Sequence, residues 1–310
     1  MTRRSHFGAV RLTCAALALS AALSACEPLL REDGPPPAPA SPGAPATGGT
    51  PSAPAAPTPS PTGPAAPSAP APPAPGTVAP AWLGKRPLPE TADGFGEIQA
   101  TPRVLRNRRF TLPDTLPMLP GDGFASHVVS PAPADVIARS TWVEGCPVSA
   151  SDLAWVQLAF RGFDGARHTG ELLVNADVAQ DMVKVFRQLW RAKFPLEEMR
   201  VTRRDELDAA PTGDGNNTSA FVCRPSVGST HFSQHAYGLA VDVNQFQNPY
   251  TKGDLVLPEL ASAYIDRTNV RPGMILTGGP VIRAFASVGW EWGGYWNSLK
   301  DRHHFSLNNR

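Results

Sequence analysis

Between Gly34 and Pro80 the chain consists almost wholly of Pro, Ala, Ser, Gly and Thr. A segment of that kind has no large apolar side chains to bury. It cannot offset the conformational entropy lost on folding. Its prolines favour extended polyproline II, which at about 3.1 Å per residue would reach on the order of 140 Å. Any globular core must therefore form downstream, and residues 27–80 read as a disordered tether. Within 310 residues, 42% hydrophobic content still leaves enough apolar material for one compact domain. The formal net charge of +1 offers no basic surplus, so nucleic acid is not an expected partner.

Residues 1–26 read as an export signal. Arg3, Arg4 and Arg11 give a positive start, and an apolar run follows from Leu12 to Leu23. That run is too short for a permanent membrane span. It ends in Leu23-Ser24-Ala25-Cys26, which resembles the lipobox of bacterial lipoproteins. The resemblance implies that the Cys26 thiol takes a diacylglycerol and holds the mature chain to the membrane, facing the cell wall. An ordinary secretory signal that ends near a cysteine is the alternative. Cys14 would leave with the signal, so Cys146 and Cys223 remain as an even pair in an oxidising compartment. A disulfide between them, or two buried thiols, would account for the pair.

Residues 81–139 are mixed in composition and rich in turn signals such as Pro120-Gly121-Asp122-Gly123, which suggests an irregular extension packed on the following domain. The main domain is expected over 140–310. Val178, Met182, Val185, Phe186, Leu189 and Trp190 recur at helical spacing and form a core-facing stripe. Asn175 or Asp177 is placed to cap that helix, and Pro195 follows its end. Glu171-Leu172-Leu173-Val174 reads as a strand. Leu239, Val241 and Val243 alternate with Ala240, Asp242 and Asn244 as a half-buried strand. Helix, strands and many loops together indicate an α+β fold.

Two segments carry chemistry. One is Ser233-Gln234-His235-Ala236-Tyr237-Gly238-Leu239-Ala240-Val241-Asp242. The other is Gly289-Trp290-Glu291-Trp292-Gly293-Gly294-Tyr295-Trp296, followed by Asp301-Arg302-His303-His304-Phe305. A catalytic zinc takes three protein ligands and leaves one position open. His235, Asp242 and His304 would supply two imidazoles and a carboxylate, with Asp301 as a base for the attacking water. Spacing alone does not establish this, because a His followed seven residues later by an Asp is common.

The fuller pattern resembles the VanY-type D-alanyl-D-alanine carboxypeptidase family, zinc peptidases of the hedgehog/DD-peptidase fold. It comprises Ser-x-His-x-x-Gly-x-Ala-x-Asp, Gly-Trp-x-Trp-Gly-Gly and Asp-x-x-His-Phe, together with Gly162-Phe163-Asp164-Gly165, Phe194-Pro195 and Asn216-Asn217-Thr218-Ser219. The resemblance implies that His235, Asp242 and His304 bind Zn2+, that Asp301 is the general base, and that peptidoglycan peptides are the substrate. It also implies an upstream arginine that holds a substrate carboxylate or oxyanion, for which Arg224 is the candidate. Ser233 and Trp292 are further substrate-side candidates. Trp290 and Trp296 are either groove or core residues. If His304 binds metal from a strand, His303 is expected to face away.

Two positions depart from the family pattern. Tyr295 stands where relatives often carry Asp, and Asp301 where many carboxypeptidases carry Glu. The substrate side and the bond cut are thereby left open between terminal D-Ala-D-Ala and a cross-link. Ser-x-x-Lys, Gly-x-Ser-x-Gly, His-Glu-x-x-His and His-x-x-Glu-His are all absent, which disfavours serine chemistry and helical zinc motifs. A non-catalytic wall-binding lipoprotein remains the reading from another class.

Overall fold

The computed structural model describes residues 73–226 and 228–309. The expected export signal, Cys26 and most of the expected tether lie outside the described residues. The first sheet contains β1 (Ser126–Val129), β2 (Leu153–Gly162), β3 (Arg167–Asn175) and β4 (Pro195–Leu196). β2 and β3 form a long hairpin in register from Leu153↔Asn175 to Arg161↔Arg167. Its turn is Phe163-Asp164-Gly165-Ala166, in which Gly165 takes a left-handed φ of +78°.

Helix α1 (Ala134–Arg139) precedes that hairpin, and α2 (Ala179–Arg191) follows it. A short 3-10 turn leads into α2, and the Asn175 side chain caps it by accepting from Asp177 N–H at 3.1 Å. Asn175, of the two candidates, is therefore the cap. Met182, Val185, Phe186 and Leu189 are buried against Val156, Leu158, Leu172 and Val174 of the sheet, each contributing roughly 1.5–3 kcal/mol. Trp190 is only half-buried, and its ring lies 4.1 Å from the Arg161 guanidinium carbon.

The remaining strands are short. They are β5 (Glu198–Met199), β6 (Asn217–Thr218), β7 (Ala240–Asp242), β8 (Tyr250–Lys252), β9 (Leu255–Leu257), β10 (Glu291–Trp292), β11 (Lys300–Asp301) and β12 (His304–Ser306). β5 pairs with β6. β10, β12 and β7 form one three-stranded sheet in that order, and β11, β8 and β9 form another. Helix α3 (Pro280–Ala286) packs on α2. The fold is α+β, as its pattern of elements indicated. One local expectation changes. The segment 240–244 is buried on both faces rather than one, because the face carrying Asp242 turns into a side-chain cluster.

Residues 81–139 carry the strand β1 and helix α1. Their first part also builds a second core, in which Leu88, Leu105 and Phe110 pack with Phe246, Leu260, Tyr264 and Met274. Contacts begin earlier still, since Gly76 C=O accepts from Arg109 N–H at 2.8 Å. A disulfide joins Cys146 to Cys223 beside a third cluster around Val148, Leu153 and Phe221. No helix among the described residues is long and apolar enough to cross a membrane.

Arg108 fastens the N-terminal segment to the domain. Its Nε and Nη2 donate to the two carboxylate oxygens of Glu197 at 2.7 and 2.5 Å, and Nη1 donates to Asp214 C=O at 2.8 Å. Both side chains are shut off from solvent, at 1% and 0% exposure. Removing one partner would strand the other charge in the core. Glu197→Ala is therefore expected to lower stability by about 3–5 kcal/mol, read as the shift of the urea unfolding midpoint at constant slope.

Candidate metal centre and cleft

Strand register brings the first two site residues together. Asp242 on β7 is the direct partner of His304 on β12. Directly opposed residues of an antiparallel pair project to the same face. On its other side Asp242 exchanges backbone hydrogen bonds with Ser219, so its main chain is held from both edges. His235 arrives on the 3-10 turn Gln234–Tyr237, which the Ser233 hydroxyl caps by accepting from His235 N–H. Gly238 ends that turn at φ +69°. A Cβ there would lie 2.4 Å from Asn175 N, so only glycine fits.

The three side chains converge to a point. His235 Nε2, His304 Nδ1 and Asp242 Oδ1 stand 3.2 Å apart in every pair. All three residues are buried. The His235 Nδ1–H donates to Ala220 C=O at 2.5 Å, which fixes the ring with Nε2 at the point where the three donors meet. A tetrahedral zinc with ligands at about 2.0–2.1 Å would space them about 3.3–3.4 Å apart. The donor set and its spacing both fit such an ion, and this buried group can hold a metal.

The charge state fits as well. Burial by itself pushes the Asp242 carboxyl up, but the facing His235, His303 and His304 rings hold it well below the usual carboxylate range. Its second oxygen, Oδ2, accepts from Gln245 Nε2 at 3.1 Å. One oxygen thus faces the cluster while the other is anchored behind it.

Asp301 lies on β11 and lines the same cleft, with its carboxylate largely enclosed. His303 does not face away. Its Nε2 lies 3.0 Å from Asp301 Oδ1 as an ion pair and 3.7 Å from Asp242 Oδ2, and its Nδ1 bonds Asn248 C=O at 2.8 Å. The expected alternation fails because Arg302 and His303 form a bend between β11 and β12. Burial pulls the His303 imidazole down, yet Asp301 and Asp242 outweigh it and raise its pKa to about 9. Gly293 presses on this segment from outside. A Cβ there would sit 2.8 Å from Asp301 O and 3.4 Å from His304 Cβ.

The cleft has a volume of about 1020 Å3 and is lined by Arg224 and Ser233 besides the cluster. Among the described residues the Arg224 side chain donates only to the neighbouring Pro225 C=O, whereas the cleft's Arg108, Arg200 and Arg203 are each paired with carboxylates. Ser233 is spent largely on its cap. Trp292 is not a lining residue. Its ring is buried in the main core, and its Nε1–H donates to Arg302 C=O at 2.8 Å. Trp290 is likewise core, and Trp296 is the tryptophan that faces the cleft, 5.4 Å from the His304 ring. Tyr295 is half-exposed and packs edge-on against Trp292. His168, which shows no partner in the sequence, sits between Asp114 and Asp164 on the surface of the hairpin. His303 and Gln245 are the residues that sequence reasoning missed. Gln245 lies three positions after Asp242, but no motif marks it.

The sequence model of the family described as D-alanyl-D-alanine carboxypeptidase matches residues 227–307. That span, about a quarter of the chain, holds His235, Asp242, Asp301 and His304 and stops short of Arg224. No curated protein and no solved structure gives a match. Because Gln245 anchors the rear oxygen of Asp242, Gln245→Ala is expected to weaken zinc affinity about 10- to 100-fold while leaving the melting temperature nearly unchanged. Competition against a chromogenic chelator measures the first and thermal unfolding the second.

Proposed function

We propose that the chain is an exported, lipid-anchored zinc peptidase that hydrolyses amide bonds in peptidoglycan stem peptides, acting as a D-alanyl-D-alanine carboxypeptidase. One observation carries the reading: three metal-type donors at equal 3.2 Å spacing open on a cleft that also contains Asp301. The match of residues 227–307 to the carboxypeptidase family points the same way. The Cys146–Cys223 disulfide is in keeping with an extracytoplasmic location.

In this reading His235, Asp242 and His304 hold the zinc. When bound there, a zinc ion would supply Lewis-acid polarisation of the peptide carbonyl and a lowered water pKa, the conditions for hydrolysis at neutral pH. The Asp301 carboxylate takes a proton from the attacking water as its oxygen bonds to the carbonyl carbon. It delivers that proton to the amide nitrogen as the C–N bond breaks. His303 holds Asp301 in place by the ion pair at 3.0 Å. Arg224, the cleft arginine without a carboxylate partner among the described residues, receives the terminal carboxylate of the peptide. Ser233 acts through His235, whose turn it caps.

Endopeptidase cleavage of a cross-link uses the same groups. It is favoured by one feature: a cleft of about 1020 Å3 exceeds what a terminal dipeptide needs. The deciding experiment incubates the purified protein with stem pentapeptide and with cross-linked muropeptides, with chelator and with added zinc, and reads product masses. Loss of one alanine, abolished by chelator and restored by zinc, is the expected result. Cleavage of cross-linked material alone makes the protein an endopeptidase, and no cleavage of either overturns the enzymatic reading. Asp301→Ala is expected to keep its zinc and lose about 10²- to 10⁴-fold in turnover, whereas His235→Ala loses both zinc and activity.

A further inference from the structure

Tyr250 lies on β8 as the direct cross-strand partner of Asp301 on β11. Residues so paired stand on the same face of the ladder. Both line the cleft. The Tyr250 ring is enclosed, with the residue 8% exposed. Its hydroxyl has no hydrogen-bond partner among the described residues, yet it is not sealed from solvent. A tyrosine whose ring is buried ordinarily finds a protein partner for its O–H. Here the O–H is left to the cleft. Burial, and then the charge of Asp301, push the phenol pKa up, so it stays a neutral donor. The backbone leaves the pair little freedom. β8 is flanked by β9 and β11, and Arg302 Nη1 ties the turn after Asp301 to Pro249 C=O at 3.2 Å and to the Thr251 hydroxyl at 2.9 Å.

We propose that the Tyr250 hydroxyl is a catalytic hydrogen-bond donor to the carbonyl oxygen of the scissile amide, strengthening its bond as negative charge develops there. The inference rests on the peptidase reading above. Asp301 must face the attacking water to act, and the ladder sets Tyr250 on the same face of the sheet as Asp301. A neutral donor suits this role. It is preorganised, it carries no charge of its own to repel or neutralise the base, and it transfers no proton. Donation to a developing oxyanion affects the transition state more than the ground state, so its loss should appear in kcat rather than KM.

The test is Tyr250→Phe in the full chain, which removes one oxygen and keeps the buried ring. Steady-state hydrolysis of the stem peptide, zinc content and melting temperature are measured beside wild type. The expected result is a kcat about 100-fold lower, KM within about twofold, and unchanged zinc and melting temperature. Inhibition by a phosphinate analogue of the cleaved dipeptide, tetrahedral at the reacting centre, should weaken by a similar factor. That second measurement separates loss of the donor from a general disturbance of the fold. A kcat within about threefold of wild type, or a loss confined to KM, overturns the assignment of Tyr250 and leaves the peptidase reading standing. A wild-type protein that cleaves no amide substrate overturns the parent reading, and this one with it.

Discussion

The antiparallel register of β7 against β12 is the constraint on which the site depends. It sets Asp242 opposite His304, and the ladder continues through Val241↔Phe305 and Ala240↔Ser306. A slip of one strand by one residue would put the two donors on opposite faces of the sheet. The register is held by what lies on either side. Phe305 stacks on Phe285 of α3 at 4.0 Å between ring centroids, while Val241 is fully buried in the same core. One face of these short strands therefore packs on the main core and the other carries chemistry. That division explains why β7 has no solvent-exposed side.

Around this sheet, loops are fixed by specific contacts rather than by long regular elements. The His235 turn is closed by Ser233 at its start and Gly238 at its end. Gly238 touches the end of β3, so the longest hairpin of the fold sets the position of the first imidazole. The disulfide ties Cys223, next to Arg224, to the segment before β2. In the chain-entropy account, closing a loop of that length contributes a few kcal/mol by restricting the unfolded chain. The N-terminal segment completes the cleft, with Leu83, Gly84, Arg108 and Leu112 among its lining residues and the Arg108–Glu197 pair as its fastening.

Much of this was legible in the sequence, and the rest has physical reasons for being hidden. The α2 stripe and the α+β class follow from period 3.6 and period 2 patterns, which depend only on local chain geometry. His235, Asp242 and His304 stand out through fixed motifs whose glycines are explained by close approach. Gly238 meets Asn175, and Gly293 meets Asp301 and His304. The orientation of His303 is not legible because a two-residue bend breaks the strand alternation. The place of Trp292 is not legible because an aromatic residue beside a site reads alike whether it points in or out. Only the pairing of β10 with β12 turns it into the core. Gln245 and Tyr250 reach the cleft through tertiary contacts that leave no mark on local composition.

The claim on which the account turns is that the three donors form a single zinc site. X-ray absorption at the zinc edge on the purified protein, reconstituted with one equivalent of metal, tests it most directly. Two imidazole nitrogens and a carboxylate oxygen at about 2.0–2.1 Å, with a fourth oxygen ligand from solvent, are the expected shell. The imidazole scattering is expected to fall in a His304→Ala variant. A spectrum with no histidine signature, or one unchanged by loss of His304, would contradict it.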